Sequence, residues 1–166
     1  MADVLFGDYN PSGKLPITFY RSVEDLPDFL DYTMKNRTYR YFNGDPLWHF
    51  GYGMSYTSFD FGKPKYKKGK LTVDVKNTGK VDGDEVVQVY IRRIDDTEGP
   101  KKSLKAFQRV SVKAGEKQTV CIDMPHESFE VWDAETNTMR VVPGKYEVMV
   151  GNSSRAEDLK TITVKI

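Results

Sequence analysis

The chain has 166 residues, with 25 Lys and Arg residues against 24 Asp and Glu residues and a formal net charge of +1. This length predicts one domain with an extension, and the balanced charge excludes the positive field that holds nucleic acid or an anionic membrane. No apolar run approaches the roughly 18 residues that a membrane-spanning helix needs. The single cysteine, Cys121, excludes an internal disulfide framework, and with only two histidines we expect no metal site and no cofactor.

Residues 1–62 are rich in aromatic side chains but show no sustained helical or strand periodicity. Prolines and glycines interrupt any long helix, so we expect only two short ones, around Val23–Leu26 and Phe29–Met34. Disordered linkers contain few aromatic residues. We therefore expect an irregular, aromatic-rich segment that lies against an apolar surface. The sandwich predicted after it, of about a hundred residues, is too small to cover all of it.

From about Lys70 onward, apolar and polar residues alternate with a period of two, which is typical of strands with one buried face. Turn sequences such as Asn77-Thr78-Gly79 and Val142-Pro143-Gly144 separate the apolar stripes. Short strands without a cysteine pair or crossover helices predict an all-β fold, an immunoglobulin-like or fibronectin type III-like antiparallel sandwich over residues 63–166. The main apolar stripes are Leu71, Val73 and Val75; Val87, Val89 and Ile91; Val120, Ile122 and Met124; Tyr146, Val148 and Val150.

Three features of this second region carry separate expectations. Trp132 is expected to pack in the core or at a sheet edge. Cys121 alternates with Val120 and Ile122, so its side chain is expected to face away from the core and to be partly exposed. The basic run over residues 63–70 contains one tyrosine and is compatible with contact to nucleic acid or an acidic polysaccharide, but a solvated edge strand guarded by lysines explains it better.

Motifs in the first region resemble a known enzyme family. Asn10–Phe19 resembles the segment near the end of the second domain of family 3 glycoside hydrolases. Tyr39–Phe42 and Pro46–Thr57 resemble the linker that follows that domain. Trp48-His49 departs from the family pattern, in which an aromatic residue followed by proline is usual.

Motifs in the second region extend the same resemblance. Glu85–Ile91, Leu104–Val110 and Pro143–Gly151 are similar to the fibronectin type III-like domain that ends many of these enzymes. The resemblance runs in order along essentially the whole chain. It implies the C-terminal region of a β-glucosidase or β-xylosidase, made of the end of the second domain, a linker and the sandwich.

The resemblance also implies an exo-acting hydrolase that retains configuration, with a nucleophilic aspartate in an N-terminal barrel and an acid/base upstream of these residues. Neither catalytic motif matches anything in the chain. We therefore assign no catalytic residue and expect no turnover by the chain alone. Its implied partners are the N-terminal catalytic domains of the same protein and, in the intact enzyme, the glycoside substrate; neither nucleic acid nor a membrane is expected. The first residues lack the basic and apolar regions of a secretion signal, and the compartment stays open, with the periplasm or the extracellular space considered for the parent enzyme.

One aromatic cluster is a candidate for sugar contact, because a pyranose ring stacks on aromatic faces while its hydroxyls bind polar side chains. The candidates for the rim of the substrate pocket are Tyr39, Arg40, Tyr41, Trp48 and His49. The alternative is that these side chains pack against the second domain of the parent enzyme.

Two further hypotheses remain at this point. The sandwich can instead be a carbohydrate-binding or protein-interaction module. Carbohydrate binding needs an exposed aromatic platform, and a loss of binding on Trp132→Ala would favour this alternative. The isolated chain can also form a homodimer through residues 1–62, because their aromatic surface needs cover.

Overall fold

The computed structural model describes residues 1–166, and it is built mostly of short antiparallel strands. No helix is both long enough and apolar enough to cross a membrane. The strands are β1 (Phe59–Phe61), β2 (Lys65–Lys67), β3 (Lys70–Asn77), β4 (Gly83–Arg93), β5 (Ser103–Val112), β6 (Lys117–Asp123), β7 (Glu130–Asp133), β8 (Thr138–Val141), β9 (Lys145–Gly151) and β10 (Lys160–Lys165). The helices are α1 (Ala2–Phe6) and α2 (Thr38–Tyr41), with 3₁₀ turns at Val23–Asp25, His126–Phe129 and Ala156–Asp158.

The strands form two facing sheets and one hairpin. In the first sheet β3 is central, with β6 along one side and β1 and β2 in succession along the other. The second sheet has the order β10-β9-β4-β5, with a register shift in β4 between Val89 and Tyr90. Strands β7 and β8 pair with each other as a separate hairpin. All pairings are antiparallel, and the fold is the all-β, fibronectin type III-like sandwich that the alternation predicted.

The core lies between the two sheets and is made by the predicted apolar stripes. Leu71 and Val75 of β3 face Val87 and Val89 of β4, and all four side chains are fully buried. Phe129 packs edge-to-face on Tyr146 with the ring centroids 5.5 Å apart. Alternate residues of each strand thus close the core, because successive side chains of a strand point to opposite faces.

The helix prediction for the first region was correct at one place and wrong elsewhere, because α1 (Ala2–Phe6) and α2 (Thr38–Tyr41) form where no helix was expected. A 3₁₀ turn forms at Val23–Asp25, where the Asp25 carboxylate accepts the backbone N–H of Ser22. No helix forms over Phe29–Met34, because the carboxylates of Asp28 and Asp31 each accept a backbone N–H two residues further on and hold turns instead.

Two expectations for side chains have different outcomes. Cys121 is exposed, as the alternation predicted. Trp132 is not in the core: it lies on β7 of the hairpin, and 56% of its surface is accessible. Lys65 and Lys67 are exposed on β2 at the edge of the first sheet, the position in which lysines discourage pairing with another chain.

Strand β1 shows where the sandwich begins to pair. Its residues Phe59–Phe61 pair with Asn77–Val75 of β3, so the sheet includes residues before 63. The domain boundary between residues 62 and 63 stays a prediction. The residues that precede β1, 1–58, are called the N-terminal segment from here on.

Candidate functional site

The N-terminal segment is held on the outer face of the second sheet by a buried polar pair. The Gln88 amide donates hydrogen bonds to the carbonyls of Gly51 (3.1 Å) and Asn152 (2.6 Å), and its oxygen accepts the Tyr90 hydroxyl at 2.5 Å. Gly51 adopts φ 79°, and a Cβ at this position would lie 2.0 Å from the Gln88 side-chain oxygen. Only glycine therefore fits where the segment touches the sheet. Burial raises the pKa of Tyr90, so its hydroxyl remains a neutral donor.

A buried ion pair forms a second attachment of the segment. The Lys14 ammonium lies 2.6 Å from the Glu85 carboxylate, which is itself only 3% exposed. The same carboxylate accepts hydrogen bonds from the Asn152 side chain (3.0 Å) and the backbone N–H of Val86 (2.8 Å). Glu85 therefore depends on the segment for its cation.

Asn10 ties the start of the segment to its end and to the sandwich. Its side-chain oxygen accepts the Tyr56 backbone N–H (2.8 Å) and the Ser55 hydroxyl (2.9 Å). Its amide donates to the carbonyl of Asp82 (3.0 Å). Because one side chain joins three parts of the chain, the segment is fixed at both ends.

The other face of the segment is apolar and exposed. Phe29 and Tyr32 have 88% and 85% of their surface accessible. Outside the segment, the exposed large apolar side chains are Val81, Ile94, Phe107, Trp132 and Met139; those within it are Met1, Leu5, Phe6, Tyr9, Ile17, Phe19, Val23, Leu26, Phe29, Leu30, Tyr32, Met34, Leu47, Trp48, Met54 and Tyr56. An apolar surface this extensive is typical of a protein interface.

The five candidate rim residues do not form one cluster, because most of their contacts fall in two clefts, although Tyr39 and His49 also line one smaller cavity together. The first, called the segment cleft, has a volume of about 420 Å³ and contains Trp48 and His49. The second, called the hairpin cleft, has a volume of about 480 Å³ and contains Tyr39, Arg40 and Tyr41.

In the segment cleft, Trp48 stacks on Tyr52 with the ring centroids 4.6 Å apart. The backbone of Trp48 pairs with that of Phe19 in an isolated bridge, which fixes the indole in place. His49 lies 3.8 Å from the Asp45 carboxylate. Burial lowers the pKa of His49, an effect that Asp45 opposes and Arg155 reinforces. The cleft therefore offers one aromatic face beside a neutral imidazole.

In the hairpin cleft, α2 forms one wall and the β7–β8 hairpin forms another. Tyr39 has a packing role: its ring stacks on Phe50 at 4.3 Å, and its hydroxyl accepts the Leu104 backbone N–H at 3.1 Å. The Arg40 guanidinium lies 5.6 Å from the centroid of the Tyr41 ring.

The sequence did not reveal that Trp132 faces the hairpin cleft. It pairs across the hairpin with Met139, and both side chains are about half exposed. Alternation showed that Val131 and Trp132 must point to opposite sides, but not which of the two points outward. No group of three His, Cys, Asp or Glu side chains is placed to hold a metal ion.

Comparison with known proteins assigns both parts of the chain. Residues 1–56 match the model of the glycosyl hydrolase family 3 C-terminal domain, and residues 85–154 match that of the fibronectin type III-like domain. The chain belongs to the family 3 glycoside hydrolases. It corresponds to their C-terminal region, which confirms the resemblance found in the sequence motifs.

Individual relatives agree with this assignment. The chain is 51% identical to a xylan 1,4-beta-xylosidase of Xylanibacter ruminicola, over 100% of the chain and 20% of that enzyme. A beta-xylosidase of Formosa agariphila is 37% identical, and the chain spans 25% of it. The chain thus spans about a fifth to a quarter of the length of these relatives.

Solved family members share the fold over nearly the whole chain. A family 3 β-glucosidase of Bifidobacterium adolescentis superposes with a TM-score of 0.86 at 31% identity, covering 99% of this chain and 27% of that one. A β-glucosidase of Streptomyces venezuelae, solved with D-glucose, gives a TM-score of 0.85 at 33% identity, covering 99% and 24%. The arrangement of segment and sandwich is therefore that of the larger enzymes.

Proposed function

We propose that the chain is a non-catalytic accessory C-terminal region of an exo-acting family 3 glycoside hydrolase. In this role it stabilises the catalytic domains and shapes access to their pocket. The parent enzyme is a β-xylosidase or β-glucosidase, and the 51% identity to a xylan 1,4-beta-xylosidase favours the first. Its partners are the N-terminal catalytic domains of the same protein and, in the intact enzyme, the glycoside.

The observation that carries the proposal is the division of the N-terminal segment into two faces. Gly51 and Lys14 fix one face on the sandwich, while Phe29, Leu30 and Tyr32 lie almost fully exposed on the other. Burial of apolar surface contributes about 25 cal/mol per Å², so covering this face would stabilise domain docking by several kcal/mol. The segment thus acts as the tie between the sandwich and the catalytic domains.

Each of the two clefts contributes different residues to the proposed rim of the pocket. Trp48 and His49 present an aromatic face and an imidazole that are open to a neighbouring domain or a sugar. Tyr39 is occupied by its stack on Phe50, so a rim role in the hairpin cleft falls to Arg40 and Tyr41.

A chimera tests the accessory role. The chain replaces the matching fifth of the Xylanibacter ruminicola xylosidase, and hydrolysis of p-nitrophenyl β-xyloside and thermal unfolding are measured for the chimera and for the chain alone. We expect an active chimera and no turnover by the chain alone. Phe29→Ser combined with Tyr32→Ser should lower the unfolding temperature of the chimera but not that of the isolated chain, when the isolated chain is measured at concentrations low enough to keep it monomeric.

Phe107→Ser is the matched control, because Phe107 is an aromatic residue of the sandwich with 68% of its surface exposed. It should leave both proteins unchanged. Turnover by the isolated chain, or equal stability of the chimera with and without the Phe29 and Tyr32 substitutions, contradicts the accessory role.

The same exposed face accounts for the homodimer considered from the sequence. In the isolated chain, a second copy is the available cover for Phe29 and Tyr32. Sedimentation velocity should then show a concentration-dependent dimer, and the double serine variant should remain a monomer.

A further inference from the structure

We propose that the hairpin cleft is an oligosaccharide-binding site, separate from the docking face, that takes a neutral β-linked pyranose chain such as a xylo-oligosaccharide. The choice of xylan as the ligand rests on the proposed function. The existence of the site rests on the side chains of the cleft.

The apolar surface for a sugar ring comes from the β7–β8 hairpin. Trp132 and Met139 are directly paired across the two strands, and 56% and 52% of their surfaces are accessible. Both side chains lie next to each other on the same face of the hairpin, and both line the cleft. An indole of this exposure offers the flat apolar area on which a pyranose ring stacks, and its ring NH remains a hydrogen-bond donor.

Polar groups for sugar hydroxyls line the same cleft. Arg40, Arg92 and Arg93 form no salt bridge within the chain. The Nε atoms of Arg40 and Arg93 are buried without a hydrogen-bond partner. The cleft also contains the carboxylates of Asp96 and Glu98. With Lys105 and Glu130 included, the cleft is lined by four cationic and three anionic side chains. Hydroxyls both donate and accept, so this nearly balanced mixture suits a neutral sugar better than a polyanion.

Hydrogen bonds hold the walls of the cleft together before any ligand arrives. The Lys105 ammonium donates to the Glu130 carbonyl of the hairpin at 2.6 Å. The backbone N–H of Lys101 donates to the Arg40 carbonyl at 2.8 Å. At the hairpin tip, Asp133 accepts hydrogen bonds from Thr136 (2.8 Å) and Arg140. A preformed site loses less conformational entropy on binding.

The size and position of the cleft agree with this role. Its volume of about 480 Å³ lies within the roughly 300–1,000 Å³ of small-molecule sites. The residues proposed to dock the catalytic domains, Phe29 and Tyr32, do not line it. One surface can therefore be occupied while the other remains free.

The test is titration of the full 166-residue chain with xylohexaose and cellohexaose. Binding is measured by calorimetry and by the NMR chemical shifts of the indole NH groups. We expect saturable binding of xylohexaose that shifts the Trp132 resonance and leaves the Trp48 resonance in place. Trp132→Ala should weaken binding at least about tenfold, a change of about 1.4 kcal/mol. Trp132→Phe should retain most of the affinity, because the aromatic face remains.

Two variants separate the cleft from other surfaces. Phe107→Ala removes an aromatic residue of β5 that has 68% of its surface exposed and should bind as the unmodified chain does. Trp48→Ala reports on the segment cleft, and a loss of xylohexaose binding in this variant but not in Trp132→Ala would place the site there and overturn the proposal. The unfolding midpoint of each variant verifies the fold. The proposal is overturned if no saturable binding occurs, if Trp132→Ala binds as tightly as the unmodified chain, or if polygalacturonate competes fully, which would indicate binding by charge alone. Because the titration uses the chain by itself, the binding proposal can fail while the chimera is active. Equally, xylohexaose can bind the chain while the chimera is inactive, so the two proposals are tested separately.

Discussion

The sandwich and the N-terminal segment use aromatic side chains in opposite ways. In the sandwich, Phe129 and Tyr146 are fully buried against each other. In the segment, Phe29 and Tyr32 are exposed, and the contacts that position the backbone are polar, such as the ion pair of Lys14. The comparison teaches that one region uses apolar burial to fold. The other is placed by hydrogen bonds together with a few aromatic contacts, such as the stack of Tyr39 on Phe50, and leaves a large apolar surface exposed for a different partner.

The sharpest way to break this comparison is the same substitution in both regions. Phe129→Ala should lower the free energy of unfolding of the isolated chain by about 3–5 kcal/mol, because it leaves a cavity in the core. Phe29→Ala should change it by less than about 0.5 kcal/mol, because its ring contacts solvent. Urea denaturation measures both. Similar losses for the two variants would mean that the segment is part of the folding core.

A second prediction concerns the attachment between the two regions. Lys14→Met should destabilise the chain by about 3 kcal/mol, because it leaves the Glu85 carboxylate buried without a cation. Hydrogen exchange should increase in residues 10–56 more than in β3. Adding Glu85→Gln, which removes the charge but can still accept the hydrogen bond from Asn152, should restore part of the stability. A single variant as stable as the unmodified chain would show that the pair is no stronger than a surface salt bridge.

A smaller effect is expected where the segment contributes one hydrogen bond to the sandwich. Tyr39→Phe removes the acceptor for the Leu104 backbone N–H and should cost about 1 kcal/mol. Tyr32→Phe is the matched control, since the Tyr32 side chain is exposed, and it should have no effect. Equal unfolding midpoints for the two variants would show that the hydrogen bond between the Tyr39 hydroxyl and Leu104 does not stabilise the fold.

The smallest effect is a different pH response in the two regions. Burial lowers the pKa of His49 from its ordinary value of 6.5, so the unfolded chain takes up the proton first and the stability of the segment decreases as pH falls below 6.5. In the sandwich, hydrogen bonds from Ser111 and Arg109 lower the pKa of Asp84 from 3.8. The stability that this carboxylate provides is therefore complete above pH 3.8 and is lost as pH falls further.

Hydrogen exchange corrected for the intrinsic rate should show loss of protection in residues 40–56 between pH 7 and 5, and the loss should be absent in His49→Gln. Urea denaturation between pH 5 and 3 should show the second loss, reduced in Asp84→Asn. A response of the segment below pH 4 only would assign its pH sensitivity to carboxylates instead.

The sandwich could be predicted from the sequence because alternation marks the core-facing side chains of its strands, even in β4, whose outer face is also buried under the segment. Alternation in β3 and β4 determines which side chains enter the core, and only one register buries them all. The hairpin was different, since only the side of Val131 and Val141 packs against the main core, and both side chains remain partly exposed. The exposure of Trp132 depends on where the hairpin projects, which the local pattern does not encode.

For the N-terminal segment, the sequence predicted the irregular, aromatic-rich nature of the chain but not the positions of its turns or side chains. Its prolines and aromatic residues indicated an irregular chain against an apolar surface, but the turns at Asp28 and Asp31 compete with a helix that hydrophobic spacing favoured. The candidate rim residues Tyr41 and Trp48 are close in sequence yet line different clefts. Their separation depends on contacts with the sandwich that are remote in the chain, such as that of Gly51 with Gln88.

The buried outer face of β4 has a consequence for how this module can be inherited. Tyr90 is wholly inaccessible because the segment covers it, and Gln88 has its amide saturated partly by the segment backbone. A gene fusion or truncation that retained the strands but removed the preceding residues would expose Tyr90 and leave the Gln88 amide with an unsatisfied hydrogen-bond donor. Recombination between glycosidase genes should therefore transfer the sandwich and the N-terminal segment together as one unit.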